Sequence, residues 1–241
     1  MPDTSTLSLE TTDPLIGVSR DAFVPLVRFG QCVKLSAGVI AAVLVLTGRA
    51  TTLDFALFAV TYGLTMLGIT GGFHRMLAHG GFQARRPLRR ALIVLGTMAG
   101  QGGPLIWVAV HRQHHQFSDR PGDPHSPHAH DAPPGRLSGL WHAQMGWILK
   151  HYPAGLSRYI PDLLADPWLV WMQANTVRWV HLAIALAGLV GWIGSGTWQG
   201  ALTGMLFGGW ARLFMVELSV NWSIRSATPM VAAPTKRRIA A

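Results

Sequence analysis

The chain has 241 residues, enough for one domain or two small ones. Only 13% of them are charged against 49% hydrophobic, and the mean hydropathy is positive, which excludes an ordinary soluble domain and fits a membrane protein. The net charge of +9 comes without a basic run interleaved with aromatics, so no nucleic-acid partner is expected; the single cysteine, Cys32, excludes an intramolecular disulfide and a cysteine-rich zinc or iron–sulfur site.

The N-terminus, Met1 to Arg20, is polar and lacks the basic-then-apolar layout of a signal peptide. A first apolar span is expected at Val33 to Thr47, short of the roughly 20 residues a bilayer needs unless Phe29 to Cys32 join it. Gly48-Arg49-Ala50 then turns the chain into a second span, Leu53 to Phe73, with Asp54 near its start. A third span, Trp179 to Ile193, turns through Gly194-Ser195-Gly196 into a fourth, Ala201 to Ile224. Between the hairpins lies a long polar middle containing Arg75, Arg85, Arg86, Arg89, Arg90, Arg112 and Arg120, while Arg20 and Arg28 precede the first span. The positive-inside bias puts that middle and both termini in the cytoplasm. The apolar stretch Ala91 to Met98 is too short to span and is expected at the interface or packed on the bundle. Pro121 to Pro134, with His125, His128 and His130, reads as a loop. The fold expected is an all-α integral membrane protein: four transmembrane helices in two hairpins, with a cytoplasmic helical cap that carries the histidines.

Two histidine clusters sit where these spans meet the polar middle: Gly71-Gly72-Phe73-His74-Arg75-Met76-Leu77-Ala78-His79 and His111-Arg112-Gln113-His114-His115. Imidazole suits first-row transition metals, so His74, His79, His111, His114 and His115 are candidate metal ligands. The spacing i, i+3, i+4 puts the second group on one helix face, able to cap one ion or straddle two. His74 and His79 are about 140° apart on a helix of 3.6 residues per turn. They could share an ion only if the helix unwinds near Gly80; otherwise each serves a different one.

These boxes resemble the first two histidine boxes of the membrane acyl-CoA (stearoyl-CoA type) fatty-acid desaturases. The resemblance extends to Gly68-Ile69-Thr70 before the first box, Trp107-Val108-Ala109 before the second, Phe117-Ser118-Asp119, Asp123-Pro124-His125-Ser126-Pro127, and Trp141-His142 with Gly146-Trp147. It implies oxygen-dependent removal of two hydrogens from an acyl chain at two non-haem irons held by the five histidines above. It also implies hydrogen-bonding support from Asp123, His125 and His142. The substrate implied is a fatty acyl thioester, on coenzyme A or acyl-carrier protein. Arg85, Arg86, Arg89 and Arg90 are candidates for its phosphates, though equally explained as topology signals. Electrons would come from a donor such as ferredoxin, rubredoxin or cytochrome b5. A membrane hydroxylase or ketolase is the alternative within the same chemistry, and a non-catalytic relic is the alternative outside it.

The chain departs from that family at its end. Arg225 and Pro229 stand where the family has asparagine and histidine, and no third His-x-x-His-His box follows. Shifting the reading frame of residues 225–241 by one base, with permitted third bases, restores a histidine followed by Gly-x-Arg-Pro-Tyr. The expected organisation is therefore a cytoplasmic segment at 1–28, a desaturase-like domain at 29–224, and an out-of-frame tail at 225–241, with a basic membrane-surface tail as the other reading. The chain as written is expected to be incomplete and inactive.

Overall fold

The computed structural model describes residues 19–118, 120, 122–124, 126, 136–149 and 155–227. The loop histidine His125 and most of the 121–134 loop lie outside them, as does the tail beyond 227.

Helix α1 covers Arg20–Leu46 and α2 covers Thr52–Leu67, continuing through an eleven-residue π-helical segment, Gly68–Ala78. The cap consists of α3 (Arg86–Met98), α4 (Pro104–Phe117), α5 (Arg136–Trp141) with a short π-turn His142–Gly146, a 3-10 turn Leu156–Tyr159, α6 (Pro161–Leu164) and α7 (Pro167–Ala174). Helix α8 (Thr176–Ser195) leads to α9 (Trp198–Gly204), which runs through a second π segment, Met205–Ala211, into α10 (Arg212–Ala227). No strand occurs among the described residues.

Four helices are long and apolar enough to cross a membrane: Arg20–Leu46, Thr52–Ala78, Thr176–Ser195 and Trp198–Trp222. Each extends beyond the span expected from hydropathy at one end or both. Only 17% and 22% of the first and third apolar windows are buried. Their outward faces, with Val39, Ile40, Val43, Leu186, Leu189 and Ile193, are the faces a bilayer covers.

Polar pins set how the elements meet. Asp54, buried near the start of the second span, completes a capping box: Thr51 N–H donates to Asp54 Oδ2 at 2.9 Å and Asp54 N–H to Thr51 Oγ1 at 3.2 Å. Helix α3 does not float at the interface. It packs along the π segment of the second span, because a β-carbon on Gly68 would run into the backbone of Leu95 and Gly96. Buried Arg212 reaches across to donate to the Met98 carbonyl at 2.6 Å, satisfying an orphan acceptor at the end of α3. The Gln173 side chain accepts from Leu105 and Ile106 N–H at 3.1 and 3.2 Å and so caps α4, whose first turn opens on Pro104. Beneath the site, Ile69, Phe73, Ile93, Leu105, Val108 and Leu169 form one apolar core joining the second span to the cap.

Candidate metal centre

The first two ligand candidates come together by a change of helical pitch. Between Gly68 and Ala78 the backbone closes five-residue turns, ending with His79 N–H donating to the His74 carbonyl at 3.1 Å. A π-turn stacks residues five apart, where an α-helix would splay them. The two rings therefore sit with centres 4.5 Å apart. This corrects the expectation that the pair could share an ion only by unwinding near Gly80. The chain does leave the helix there, with Gly80 at φ 60°, but after His79 is already placed.

Helix α4 supplies the other half. His111 and His115, one α-turn apart, bring their Nε2 atoms to 3.0 Å, and His79 Nε2 lies 3.1 Å from His111 Nε2. The ligand nitrogens of His74, His79, His111 and His115 all fall within 4.8 Å of one another. Nitrogens bound at about 2.1 Å on adjacent vertices of one ion lie about 3 Å apart, so the two close pairs already have the spacing of a shared coordination shell.

His114 stands apart from this quartet. Its ring centre is 6.3 Å from that of His111, and its Nδ1 faces buried Asp123, with Oδ2 at 2.9 Å and Oδ1 at 3.0 Å. With Nδ1–H donated to the carboxylate, the Nε2 lone pair points from the opposite edge of the ring, the arrangement common for a ligand histidine. Asp123 and His114 thus form a hydrogen-bonded carboxylate–imidazole pair. His142 is buried in its π-turn and is not part of the quartet.

The donor set fits an imidazole-preferring transition metal, and the two rings from α4, His111 and His115, are held neutral. Burial, and then the neighbouring imidazoles of His115, His74, His79 and His114, push His111 down to about 2. Burial and the same crowding lower His115, with Asp123 pulling weakly the other way. Neutral imidazole is the ligating form, so no proton must first be removed at neutral pH. Trp107 stacks on His111 at 4.9 Å, and both rings line the neighbouring cavity.

Arg112 was legible in the sequence only as one of many cap arginines; in the structure it ties the two boxes together. Its Nη2 donates to the Leu77 carbonyl at 2.9 Å and its Nε to Ala78 at 3.4 Å, the last residues of the π segment. Nη1 donates to the Tyr159 carbonyl at 2.9 Å, and the fork grips Asp162 at 2.6 and 2.9 Å. The guanidinium hydrogen bonds hold the Asp162 carboxyl below its usual range. Among the four arginines expected at a head group, Arg89 pairs with Asp166 at 2.9 Å and Arg90 lies 5.2 Å over the Trp168 ring. Arg85 and Arg86 are exposed.

Beside the quartet opens a cavity of about 200 Å³, between α1, the Gly100–Gly102 turn, α4 and α10. His111 and Trp107 form part of its wall, and Val27, Ile106, Val110 and Val220 make much of the rest apolar.

A helical membrane bundle with a cap that gathers histidines is the class these features define. A family model for fatty acid desaturase matches residues 51–229, and the chain belongs to that family. It is 38% identical over 173 residues to the hex-5-enoyl-[acyl-carrier protein] acetylenase of Moorena producens (strain JHB), covering 70% of this chain and 54% of the relative. It is 34% identical over 174 residues to the sn-1 stearoyl-lipid 9-desaturase of Anabaena variabilis, covering 71% and 56%. It is 31% identical over 175 residues to the acyl-CoA desaturase of Ovis aries, covering 70% and 45%. The chain spans about half the length of these curated relatives.

Proposed function

We propose that this chain is the membrane and histidine-box portion of a fatty acyl desaturase that removes two hydrogens from an acyl chain while dioxygen is reduced to water. The observation that carries this is the convergence of four imidazole nitrogens within 4.8 Å beside an apolar cavity. His74, His79, His111 and His115 would hold non-haem iron. His114, oriented by Asp123, would serve a second ion, and His125 and His142 would support the ligands. Iron bound there supplies dioxygen activation against strong C–H bonds. The chain's own residues orient and insulate: Trp107 fixes the His111 ring, the apolar wall keeps water from the acyl chain, and Arg112 holds the two boxes in register.

The substrate in this reading is an acyl thioester on coenzyme A or acyl-carrier protein, and exposed Arg85 and Arg86 would meet its phosphates. Relatives whose names specify an acyl-carrier protein, a lipid and a coenzyme A substrate support a fatty acyl ligand with a variable head. The two electrons needed beyond those from the substrate would come from a ferredoxin, rubredoxin or cytochrome b5. The arginine-rich cap and both termini would face the cytoplasm.

The test separates binding from turnover. Cells expressing the chain alone should gain no monounsaturated acyl chains, since it offers only the first two histidine boxes. A fusion carrying the C-terminal portion of the Anabaena variabilis relative after residue 224 should gain them. Hydroxylated chains in place of new double bonds would turn the reading to a hydroxylase. No new product from a membrane-inserted, iron-loaded fusion would contradict it.

A further inference from the structure

We infer that the Lys34–Glu217 ion pair forms the closed end of the acyl cavity and makes it select chains that end short of the pair. This names the substrate class of the proposed site and rests on the desaturase reading.

Lys34 and Glu217 bond to each other inside the membrane-spanning bundle, with side-chain exposures of 12% and 2%. Ionisable groups at such depth are costly, and they mark functional positions more often than structural ones. Both line the same cavity as His111. On α1 the cavity wall starts at Phe23 and reaches deepest at Lys34; on α10 it starts near Asn221 and reaches deepest at Glu217. The pair is therefore the end of the cavity farthest into both spans.

The surroundings of the pair are polar as well. Glu217 Oε1, Gln31 Oε1 and Gln101 Nε2 are buried and find no hydrogen-bond partner among the described residues. All three residues line this one cavity, and Gln31 is only 9% exposed. Two acceptors and one donor left without partners on the wall of one cavity need polar company. A pin that merely joined α1 to α10 would require the ion pair but not two further glutamines on the wall of the same cavity. A methyl terminus pressed against this end would meet the charged pair and the amides beside it and return no hydrogen bond, so the affinity of a long chain falls. A shorter chain fills the apolar part, against Val27, Ile106 and Val110, and stops short of the polar end.

The experiment measures binding, not turnover. The purified chain in nanodiscs is loaded with a fluorescent fatty acid, which is displaced by octanoate, laurate, palmitate and stearate. The same series is run on a Lys34→Met, Glu217→Leu double variant. Replacing both partners by apolar side chains of similar size is commonly tolerated. Comparing the two proteins cancels the greater partitioning of long chains into lipid. The ratio of stearate to octanoate affinity should rise by about tenfold in the double variant. Should that variant fail to fold, Gln31→Leu should shift the ratio in the same direction by a smaller factor. An unchanged ratio in a folded variant overturns the inference and leaves the desaturase reading standing. Failure of every fatty acid to bind either protein overturns the inference and removes the cavity from the acyl path. Failure of the desaturase reading itself would instead be seen in the fusion's products.

Discussion

At the scale of single residues the centre turns on His111. It is buried, lies within 5.2 Å of three other ligand rings by centroid, stacks on Trp107 and forms part of the cavity wall. Its neutrality has a consequence for pH. The folded chain keeps this imidazole unprotonated down to about 2, whereas in the unfolded chain it takes a proton near 6.5. Between those values the unfolded state binds more protons, so acid favours unfolding. The midpoint of thermal unfolding of the metal-free protein should therefore fall as pH drops from about 7.5 to about 5, and a midpoint that rises would refute this account of His111. Asp123 makes a separate prediction. Asp123→Asn removes the carboxylate that orients His114, and competition with a chelator should show metal binding at that ring weakened by about 10- to 100-fold. Unchanged affinity would take His114 out of the ligand set. His181, exposed on α8, is the control histidine whose loss should change nothing at the site.

At the scale of elements the decisive feature is the π segment Gly68–Ala78, and it was the part least legible in the sequence. The spans could be read because apolar runs of membrane length have few other uses, and the pairing of Thr51 with Asp54 marks a helix start by chemistry alone. The second box could be read because α4 keeps the ordinary pitch, which the i, i+4 spacing of His111 and His115 assumes. Nothing in the periodicity of the first box announces a change of pitch. Gly71-Gly72 and Gly68 permit either a break or a close approach, and only the packed α3 decides for approach. The first span was begun later than α1 for a related reason: Gln31 lowers the local hydropathy ahead of Val33 because it lines an internal cavity and does not face lipid. Arg112 and Asp162 are far apart in sequence and meet only through the fold. Gly68→Ala tests the packing. Its β-carbon meets the backbone at Leu95 and Gly96, with no flexible side chain to give way. The variant should lose about 1–3 kcal/mol in denaturant unfolding and bind metal more weakly than wild type. Full stability and full metal affinity would mean that α3 is not what holds the π segment.

At the scale of the whole molecule, two hairpins present one end to a cap, where histidines from the end of the second span and from α4 meet. The proposed orientation can be checked in a Cys32→Ser background. A cysteine replacing Arg86 should be labelled from the cytoplasmic face, and one replacing Arg49 only from the opposite face; the reverse pattern would contradict the positive-inside argument. The claim beneath everything else is that a π-turn lets His74 and His79 join His111 and His115 around metal. X-ray absorption at the iron edge of the loaded, purified chain reads this directly. The account predicts an imidazole-rich nitrogen shell that loses imidazole scattering in His79→Ala and in His111→Ala but not in His181→Ala. A shell dominated by oxygen, or one that ignores the loss of His79 and His111, would contradict it.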